Sequence, residues 1–284
     1  MNLQDRRVLV TGASGGIGAA LVTVLLERGA EVLVSGRNQA ALTKVVSDHP
    51  LRESAEIFVA DLSSVSDRIR LCERASSWRG GVDVLINNAA VSDFSLLGSA
   101  SAESVDAAIT TNLVAPVDLC RRLSGHFERR NEAHIVNIGS VFGSIGFAGS
   151  SVYCATKFGL RGFSEALRRE LADTGTRVHY FAPRATRTAF NSESVDLMNE
   201  ALGNASDDPM DVAWKIVTAL EAGRVERIIG WPETFFARVN ALLPRVVDAA
   251  VANKLRIIKD FAKRSSVMRP ASFNHSDATT SEVL

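Results

Sequence analysis

The first 29 residues contain a short apolar run, a glycine-rich turn and an apolar segment with helical periodicity, in that order. Residues 7–11 (RVLVT) are typical of a buried β-strand, and residues 19–28 favour a helix that stops at Gly29. Between them, residues 12–18 (GASGGIG) place glycines where a tight turn lets backbone N–H groups approach a pyrophosphate. The segment therefore predicts a nucleotide-binding β–α unit.

The alternation of strand and helix continues along the chain. Six further strand-like runs occur at residues 31–35, 55–60, 83–86, 134–139, 177–181 and 225–229, with helix-like segments between them. Such alternation predicts an α/β fold with a doubly wound parallel sheet of the Rossmann type. We expect one domain over residues 1–230, an amphipathic helical extension over residues 231–264, and a polar, disordered tail over residues 265–284.

Composition argues against several classes of protein. The 284-residue chain has equal numbers of basic and acidic side chains, so its net charge gives no reason to expect a nucleic-acid partner. Its three cysteines lack metal-ligand spacing, so we predict no metal site and a reducing compartment. No apolar run reaches the roughly 20 residues that a membrane-spanning helix needs, and the first strand starts too early to leave room for a signal peptide. We therefore expect a cytoplasmic protein.

A second motif lies where the fifth predicted strand ends. Ser140 closes that strand, a glycine-rich loop follows, and a helix is predicted to start near Ser150 or Ser151. On this helix Tyr153 and Lys157 are four residues apart and share one face. An ammonium beside a phenol lowers the pKa of the phenol, and a tyrosine tuned in this way can exchange a proton with a carbonyl or alcohol oxygen. Ser140 can donate a hydrogen bond to the same oxygen.

The end of the second predicted strand bears on the choice of cofactor. In NAD-binding folds of this kind an acidic residue here binds the ribose 2′-hydroxyl, and no acidic residue is present. Arg37 instead offers a planar cation that suits a 2′-phosphate, to which Ser14 can add a hydroxyl group. The alternative is an arginine that only faces solvent. The pattern favours NADP(H).

Taken together, these motifs resemble the short-chain dehydrogenase/reductase family over about residues 5–230. The residues that carry the resemblance stand in the family's order and spacing: Thr11, Gly12, Ala13, Ser14, Gly15, Gly16, Ile17, Gly18, Asp61, Leu62, Asn87, Asn88, Ala89, Ala90, Asn112, Ser140, Tyr153 and Lys157. The resemblance implies a Rossmann fold and hydride transfer between a nicotinamide cofactor and a small carbonyl or alcohol substrate.

The resemblance also implies roles for individual residues. Tyr153 would be the acid/base, Ser140 would orient the carbonyl, and Lys157 would lower the pKa of Tyr153 and hold the nicotinamide ribose. Asn112 would bind a water that links Lys157 to solvent, although an asparagine in mid-helix near Pro116 also fits a local kink. The cofactor would contact Gly12, Ser14, Gly15, Gly16, Ile17, Gly18, Arg37, Asp61, Leu62, Asn88, Ala89, Ala90, Tyr153, Lys157, Pro183, Thr186 and Thr188.

Two features depart from the family pattern. The residue after Pro183 is usually glycine, whereas Arg184 puts a bulky cation near the expected nicotinamide pocket. The chain also continues for some fifty residues beyond the last predicted strand. Apolar residues recur there at helical spacing, namely Phe235, Val239, Leu242, Leu243, Val246, Val247, Ala250, Val251, Leu255, Ile258 and Phe261. Pro244 is expected to divide this extension into two helices.

The other face of the extension is basic. It carries Arg238, Arg245, Lys254, Arg256, Lys259, Lys263 and Arg264. A basic amphipathic helix can lie on an anionic membrane, so peripheral contact through residues 233–264 is one alternative. Most amphipathic helices pack on protein, which favours the other: an apolar face that covers the body near the substrate entrance or pairs with a second subunit. We expect a homodimer or homotetramer.

These observations predict an NADPH-dependent carbonyl reductase or alcohol dehydrogenase. The alternative is a non-catalytic NADP(H)-binding redox sensor, which has no need of a tuned tyrosine. Loops expected to line the pocket are apolar, which favours an apolar or acyl-bearing ketone; they contain Phe142, Ile145, Phe147 and Phe190. Residues 173–175 (DTG) lack the basic residue with which similar 3-oxoacyl reductases dock a carrier protein, which weakens that class of substrate.

Overall fold

The fold is built on a single parallel sheet. The computed structural model describes residues 1–267, and its strands are β1 (Arg7–Thr11), β2 (Glu31–Gly36), β3 (Ala55–Val59), β4 (Val84–Asn87), β5 (Ala133–Ile138), β6 (Thr176–Pro183) and β7 (Glu226–Ile229). They lie in the order β3-β2-β1-β4-β5-β6-β7. The order reverses between β1 and β4, so a crevice forms at their carboxyl ends, where open α/β sheets bind ligands. The predicted doubly wound Rossmann fold is confirmed.

Helices cover both faces of this sheet. In chain order they are α1 (Gly16–Glu27), α2 (Gln39–Ser47), α3 (Val65–Ser77), α4 (Ala102–Ile109), α5 (Ala115–Glu128), α6 (Ser151–Glu170), α7 (Glu193–Ala201), α8 (Pro209–Glu221), α9 (Glu233–Leu242), α10 (Pro244–Ala252) and α11 (Leu255–Val267). Side chains on β1 alternate between the two faces: Val8 and Val10 pack with α1 and α8, whereas Leu9 packs with α3 and α5. Because both faces are buried, the strands appear in sequence as continuous apolar runs.

The sequence predicts one long helix over residues 102–122, and the structure interrupts it. A π-helical turn, Thr110–Val114, joins α4 to α5, and α5 continues to Glu128. Asn112 lies in this wider turn. The local distortion expected near Pro116 is therefore a π turn, which ends two residues before that proline. In residues 191–208 the sequence favours a flexible segment with helical potential at Val195–Leu202, and the structure has α7 there.

The extension forms three helices where two were expected. Pro244 begins α10 as predicted, and a second break at residues 253–254 separates α11. Ile258 and Ala262 of α11 are buried against Met198 of α7. Other members of the predicted apolar face stay exposed, namely Phe235, Leu242, Leu243 and Val246, so the body of the protein covers only part of that face.

The last part of the predicted tail lies outside the described residues. Residues 265–267 belong to α11, so the helix enters the segment expected to be disordered, and residues 268–284 are not described. Within residues 1–267, no helix combines the length and the apolar character needed to cross a membrane.

Candidate active site

The turn after β1 is held against the turn after β4. Thr11 Oγ1 accepts hydrogen bonds from the backbone N–H groups of Asn88 (3.1 Å) and Ala89 (3.2 Å). The Asn88 side-chain amide donates in turn to the carbonyl oxygens of Thr11 and Gly12, both at 3.0 Å. A Cβ atom on Gly18 would lie 2.1 Å from the Gly12 carbonyl oxygen, and Gly12 itself has a φ of 63°. Both positions therefore need glycine, and the close approach leaves the N-terminus of α1 facing the crevice.

This crevice is one end of a long cavity of about 1530 Å³. A typical small-molecule pocket measures ~300–1,000 Å³, so the cavity has room for a dinucleotide and a substrate. Every residue that the sequence assigned to the cofactor lines it: Gly12, Ser14, Gly15, Gly16, Ile17, Gly18, Arg37, Asp61, Leu62, Asn88, Ala89, Ala90, Tyr153, Lys157, Pro183, Thr186 and Thr188.

Two polar side chains, which were expected to bind the cofactor, line this cavity at the ends of β2 and β3. Arg37 is exposed and forms no ion pair with the described residues, so its guanidinium is available to an anionic ligand. The Asp61 carboxylate accepts hydrogen bonds from the backbone N–H (2.9 Å) and the hydroxyl (2.8 Å) of Ser63. The glycine cradle fits the pyrophosphate of a dinucleotide. No group of three or more His, Cys, Asp or Glu side chains among the described residues could hold a metal ion.

Three of the four predicted catalytic residues line the same cavity. Ser140 follows β5, and its Oγ atom accepts a hydrogen bond from the backbone N–H of Phe142 at 3.1 Å. Tyr153 and Lys157 lie in the first two turns of α6. Lys157 Nζ donates a hydrogen bond to the Ile138 carbonyl oxygen at 3.0 Å and lies 5.6 Å from the centre of the Tyr153 ring.

Burial dominates the electrostatics of this group. It raises the pKa of Tyr153 well above its ordinary value, and a hydrogen bond with Ser140 opposes that rise only in part. Burial also lowers the pKa of Lys157 to about 8, because a desolvated ammonium is disfavoured. Sequence analysis predicted that the Lys157 ammonium lowers the pKa of Tyr153. The net pKa of Tyr153 is nevertheless raised, because desolvation of the phenolate dominates, and the contribution of Lys157 itself stays a prediction.

Asn112 does not line the cavity. It is 1% exposed, and its side chain makes a reciprocal pair of hydrogen bonds with Val91, accepting from the backbone N–H and donating to the carbonyl, each at 2.8 Å. Its amide also donates to Thr156 Oγ1 at 3.2 Å. These contacts fix the segment after β4 against α6 beside Lys157. They give Asn112 a positioning role, and the water-binding role expected from the resemblance stays a prediction.

The end of the cavity next to Tyr153 is apolar. The rings of Phe142 and Phe147 stack with their centres 4.9 Å apart, and the Phe190 ring lies 6.1 Å from that of Tyr153. Ile145 lines this end as predicted. Five residues of the extension's apolar face, which was expected to lie near the substrate entrance, also line the cavity: Val239, Val246, Val247, Ala250 and Val251. Further lining residues from distant segments were not foreseen, and no local signal in the sequence indicates them: Phe94, Val195, Met198, Leu202, Trp231 and Phe236.

Arg184 ties the extension to the wall of this cavity. Its guanidinium forms an ion pair with Asp207 at 2.6 Å and a second with Glu233 at 3.4 Å, and it donates a hydrogen bond to the Trp231 carbonyl at 2.9 Å. The cation expected near the nicotinamide pocket is therefore engaged by partners from two distant segments. The α9 helix is also joined to the loop after β5, because Asn240 Nδ2 donates a hydrogen bond to the Ser144 carbonyl oxygen at 2.9 Å.

The fold and the site together define an oxidoreductase with a dinucleotide-binding Rossmann domain. A family model described as short chain dehydrogenase matches residues 6–198, and the chain belongs to the short-chain dehydrogenase/reductase family. It is 30% identical over 226 residues to the 3-oxoacyl-[acyl-carrier-protein] reductase FabG of Vibrio harveyi, an alignment that covers 76% of this chain and 90% of that relative.

Two solved structures are similar over most of the chain. One is a short-chain dehydrogenase from Sphingobium yanoikuyae in complex with NADPH, with a TM-score of 0.72 and 26% identity over 86% of this chain and 95% of that chain. The other is a short-chain dehydrogenase/reductase from Burkholderia phymatum in complex with NAD, with a TM-score of 0.78 over 87% of this chain and 96% of that chain. At 20% identity the second likeness shows the fold alone. The comparisons support a nicotinamide cofactor.

Proposed function

We propose that this protein is an NADP(H)-dependent carbonyl reductase or alcohol dehydrogenase that acts on an apolar ketone or aldehyde, or on the corresponding alcohol. The observation that carries the proposal is that Ser140, Tyr153 and Lys157 line the same cavity as the glycine turn and Arg37. One cavity thus combines a dinucleotide cradle with an acid/base side chain in apolar surroundings. Such a combination suits hydride transfer coupled to proton transfer.

The roles of the protein's own residues follow from their contacts. When bound, the nicotinamide cofactor supplies a hydride to a carbonyl carbon or accepts one from an alcohol. Tyr153 donates its phenolic proton to the carbonyl oxygen in reduction and takes a proton from the alcohol in oxidation. Ser140 donates a hydrogen bond to the same oxygen. Lys157 Nζ, held by the Ile138 carbonyl, is the nearby cation that favours negative charge on the Tyr153 oxygen.

The preference for NADP(H) rests on Arg37. No acidic residue ends β2, where one would bind a ribose 2′-hydroxyl, and the Arg37 guanidinium is free to pair with a 2′-phosphate. The NADPH complex of the Sphingobium yanoikuyae relative is consistent with this assignment.

The apolar wall of the cavity supports an apolar or acyl-bearing substrate. Phe142, Phe147 and Phe190 surround Tyr153, and α9 and α10 contribute further apolar residues. The likeness to the reductase FabG of Vibrio harveyi makes 3-oxoacyl thioesters one candidate class. The sequence of residues 173–175 favours free ketones or simple thioesters over substrates carried on a protein.

The test is a substrate panel measured with the wild-type protein and a tyrosine variant. We expect NADPH oxidation with at least one member of a panel of apolar ketones, aldehydes and 3-oxoacyl thioesters. In Tyr153→Phe the turnover should fall by about 10²–10⁴-fold, the scale of a lost general acid, while NADPH binding is retained. Tyr180→Phe is the matched control, because Tyr180 is the other tyrosine of the chain and does not line the cavity.

Two outcomes would contradict the proposal. Turnover of Tyr153→Phe at the wild-type rate would remove Tyr153 from the mechanism. Tight NADPH binding without turnover of any substrate class would instead favour the non-catalytic redox sensor.

A further inference from the structure

The extension presents an apolar patch to solvent at the junction of α9 and α10. We call the residues Trp231, Phe235, Phe236, Leu242, Leu243 and Val246 the α9–α10 patch; their exposed fractions are 73%, 51%, 47%, 80%, 59% and 56%. The aromatic members are in mutual contact, with ring centres 6.2 Å apart for Trp231 and Phe235 and 5.9 Å apart for Phe235 and Phe236. A contiguous group of large exposed apolar side chains marks an interaction site in a folded protein.

The patch follows from the spacing of residues along α9. Phe235, Arg238 and Leu242 recur at intervals of three and four residues and so form one exposed stripe of α9, next to the exposed Trp231 that precedes the helix. Phe236 and Val239, on the neighbouring stripe, line the cavity. The helix therefore has one apolar stripe turned to the cavity and another turned to solvent.

The patch is continuous with the mouth of the cavity. Trp231, Phe236 and Val246 belong to the patch and also line the cavity, and Phe190, 42% exposed, lies on the same wall beside Tyr153. An apolar path thus leads from the exposed surface to the candidate acid/base group.

The extension that carries this patch has a positive net charge. Residues 231–264 contain seven basic and three acidic side chains, a net charge of +4, whereas residues 1–230 have a net charge of −3. All seven basic side chains are exposed. Arg238 and Arg245, which flank the patch, form no ion pair within the described part of the chain, and the acidic Glu233 is already paired with Arg184.

We propose that the α9–α10 patch docks on an anionic lipid surface, with the mouth of the cavity toward the lipid. Exposed Trp, Phe and Leu side chains bordered by Arg and Lys are the composition of a segment that lies in a membrane interface. A second copy of the chain is a poorer occupant, because a two-fold contact brings the same surface of both copies together and so puts the unpaired Arg238 and Arg245 on both sides of one interface. The proposal concerns location and does not depend on the reaction that the cavity supports.

The test is co-sedimentation of the full-length protein with vesicles. We expect it to bind vesicles of phosphatidylcholine mixed with phosphatidylglycerol, to bind phosphatidylcholine alone weakly, and to lose binding as salt is raised. The double variant Phe235→Ser and Leu242→Ser should reduce binding by about tenfold or more, because it removes inserted apolar area. Neither residue lines the cavity, so NADPH binding should be unchanged. A matched double variant, Val65→Ser and Leu97→Ser, alters residues that are 54% and 65% exposed elsewhere and should bind as the wild type does.

A second pair of variants tests the electrostatic part. Arg238→Gln and Arg245→Gln together should weaken binding to the anionic vesicles and flatten its salt dependence. Equal binding of the wild type and the Phe235→Ser and Leu242→Ser variant, or no vesicle binding at all, would overturn the proposal. It would also be overturned if light scattering showed an oligomer that this variant converts to monomers, because a second copy would then cover the patch.

Discussion

At the scale of single residues, the buried ammonium of Lys157 lowers the free energy of unfolding by a measurable amount. Burial holds its pKa at about 8, against an ordinary value of 10.5, so the unfolded chain binds the proton more tightly than the folded protein does. Between those two values the unfolded state carries more protons, and the stability of the fold therefore rises with pH. Below pH 8 the buried ammonium lowers the free energy of unfolding by its full amount, on the order of 3 kcal/mol at ~1.4 kcal/mol per pKa unit.

Replacing this lysine should therefore stabilise the cofactor-free protein at neutral pH. In Lys157→Met the buried ammonium is gone, but the Ile138 carbonyl loses its donor, at a cost of about 1 kcal/mol. We expect the free energy of unfolding at pH 7 to rise by about 2 kcal/mol and the gain to shrink as pH approaches 10.5. Urea unfolding at pH 7 and pH 10 measures both effects, with Lys215→Met, an exposed lysine on α8, as control. A variant less stable than the wild type at pH 7, with no pH dependence in the difference, would contradict the account.

Arg37 determines the expected choice between the two cofactors. Arg37→Ala should weaken NADPH binding by about 1–3 kcal/mol, the scale for a lost charged hydrogen-bonding partner, and should leave NADH binding nearly unchanged. Arg52→Ala is a suitable control, because Arg52 is 62% exposed and does not line the cavity. Titration calorimetry of the wild type and both variants would measure their affinities for NADPH and NADH. Equal losses for NADPH and NADH would show that Arg37 does not bind the 2′-phosphate.

At the scale of secondary-structure elements, Arg184 connects three parts of the chain. It extends from the end of β6 to Asp207 and to the residues that begin α9, and its side chain is only 16% exposed. In Arg184→Ala these contacts are lost and Asp207 keeps a nearly buried charge without its partner. We expect a loss of about 1–3 kcal/mol in stability and faster proteolysis between residues 231 and 242.

The control for Arg184→Ala is a substitution of Arg187, three residues further along the chain. Arg187 pairs with Asp208 at 3.7 Å, and both side chains are well exposed, so Arg187→Ala should change stability by less than about 1 kcal/mol. Thermal unfolding together with limited proteolysis separates the two variants. If Arg184→Ala resists protease as the wild type does, the ion pairs do not hold α9 in place.

Elements differ in how well the sequence predicts them. The central strands were located nearly to the residue, because they are buried on both faces and are therefore continuous apolar runs. The π turn at Asn112 was not foreseen, because its side chain is satisfied by Val91 and Thr156, which are 21 and 44 positions away in the chain. The partners of Arg184 were hidden for the same reason. Local patterns predict local structure, whereas contacts between distant residues depend on the completed fold.

At the scale of the whole molecule, the apolar interior falls into separate clusters. Two of them enclose the sheet, one on each face. A third and smaller cluster joins α7 to α11 and includes Met198, Ile258 and Ala262 with Phe94. The sequence indicated that residues 231–264 are amphipathic, but the choice of α7 as the partner of α11 required the three-dimensional arrangement.

This third cluster has a consequence for the motions of the protein. Because α7 and α11 share few buried side chains with the sheet, they can open together while the rest of the molecule stays folded. We expect their amide hydrogens to exchange with solvent through this partial opening, well before those of β4 and β5. Ile258→Ala, which removes a fully buried side chain, should lower the free energy of opening by about 2 kcal/mol or more and speed exchange in both helices but not in β5.

Native-state hydrogen exchange followed by mass spectrometry would resolve these regions. If α7 and β5 exchanged together in the wild type, the molecule would open only as a whole. If α7 exchanges before β5, the rate of the partial opening can affect the kinetics of the reaction. Met198 and Leu202 of this region line the cavity, so substrates must pass beside helices that detach intermittently. The rate of this partial opening would then limit the rate at which product leaves and substrate enters.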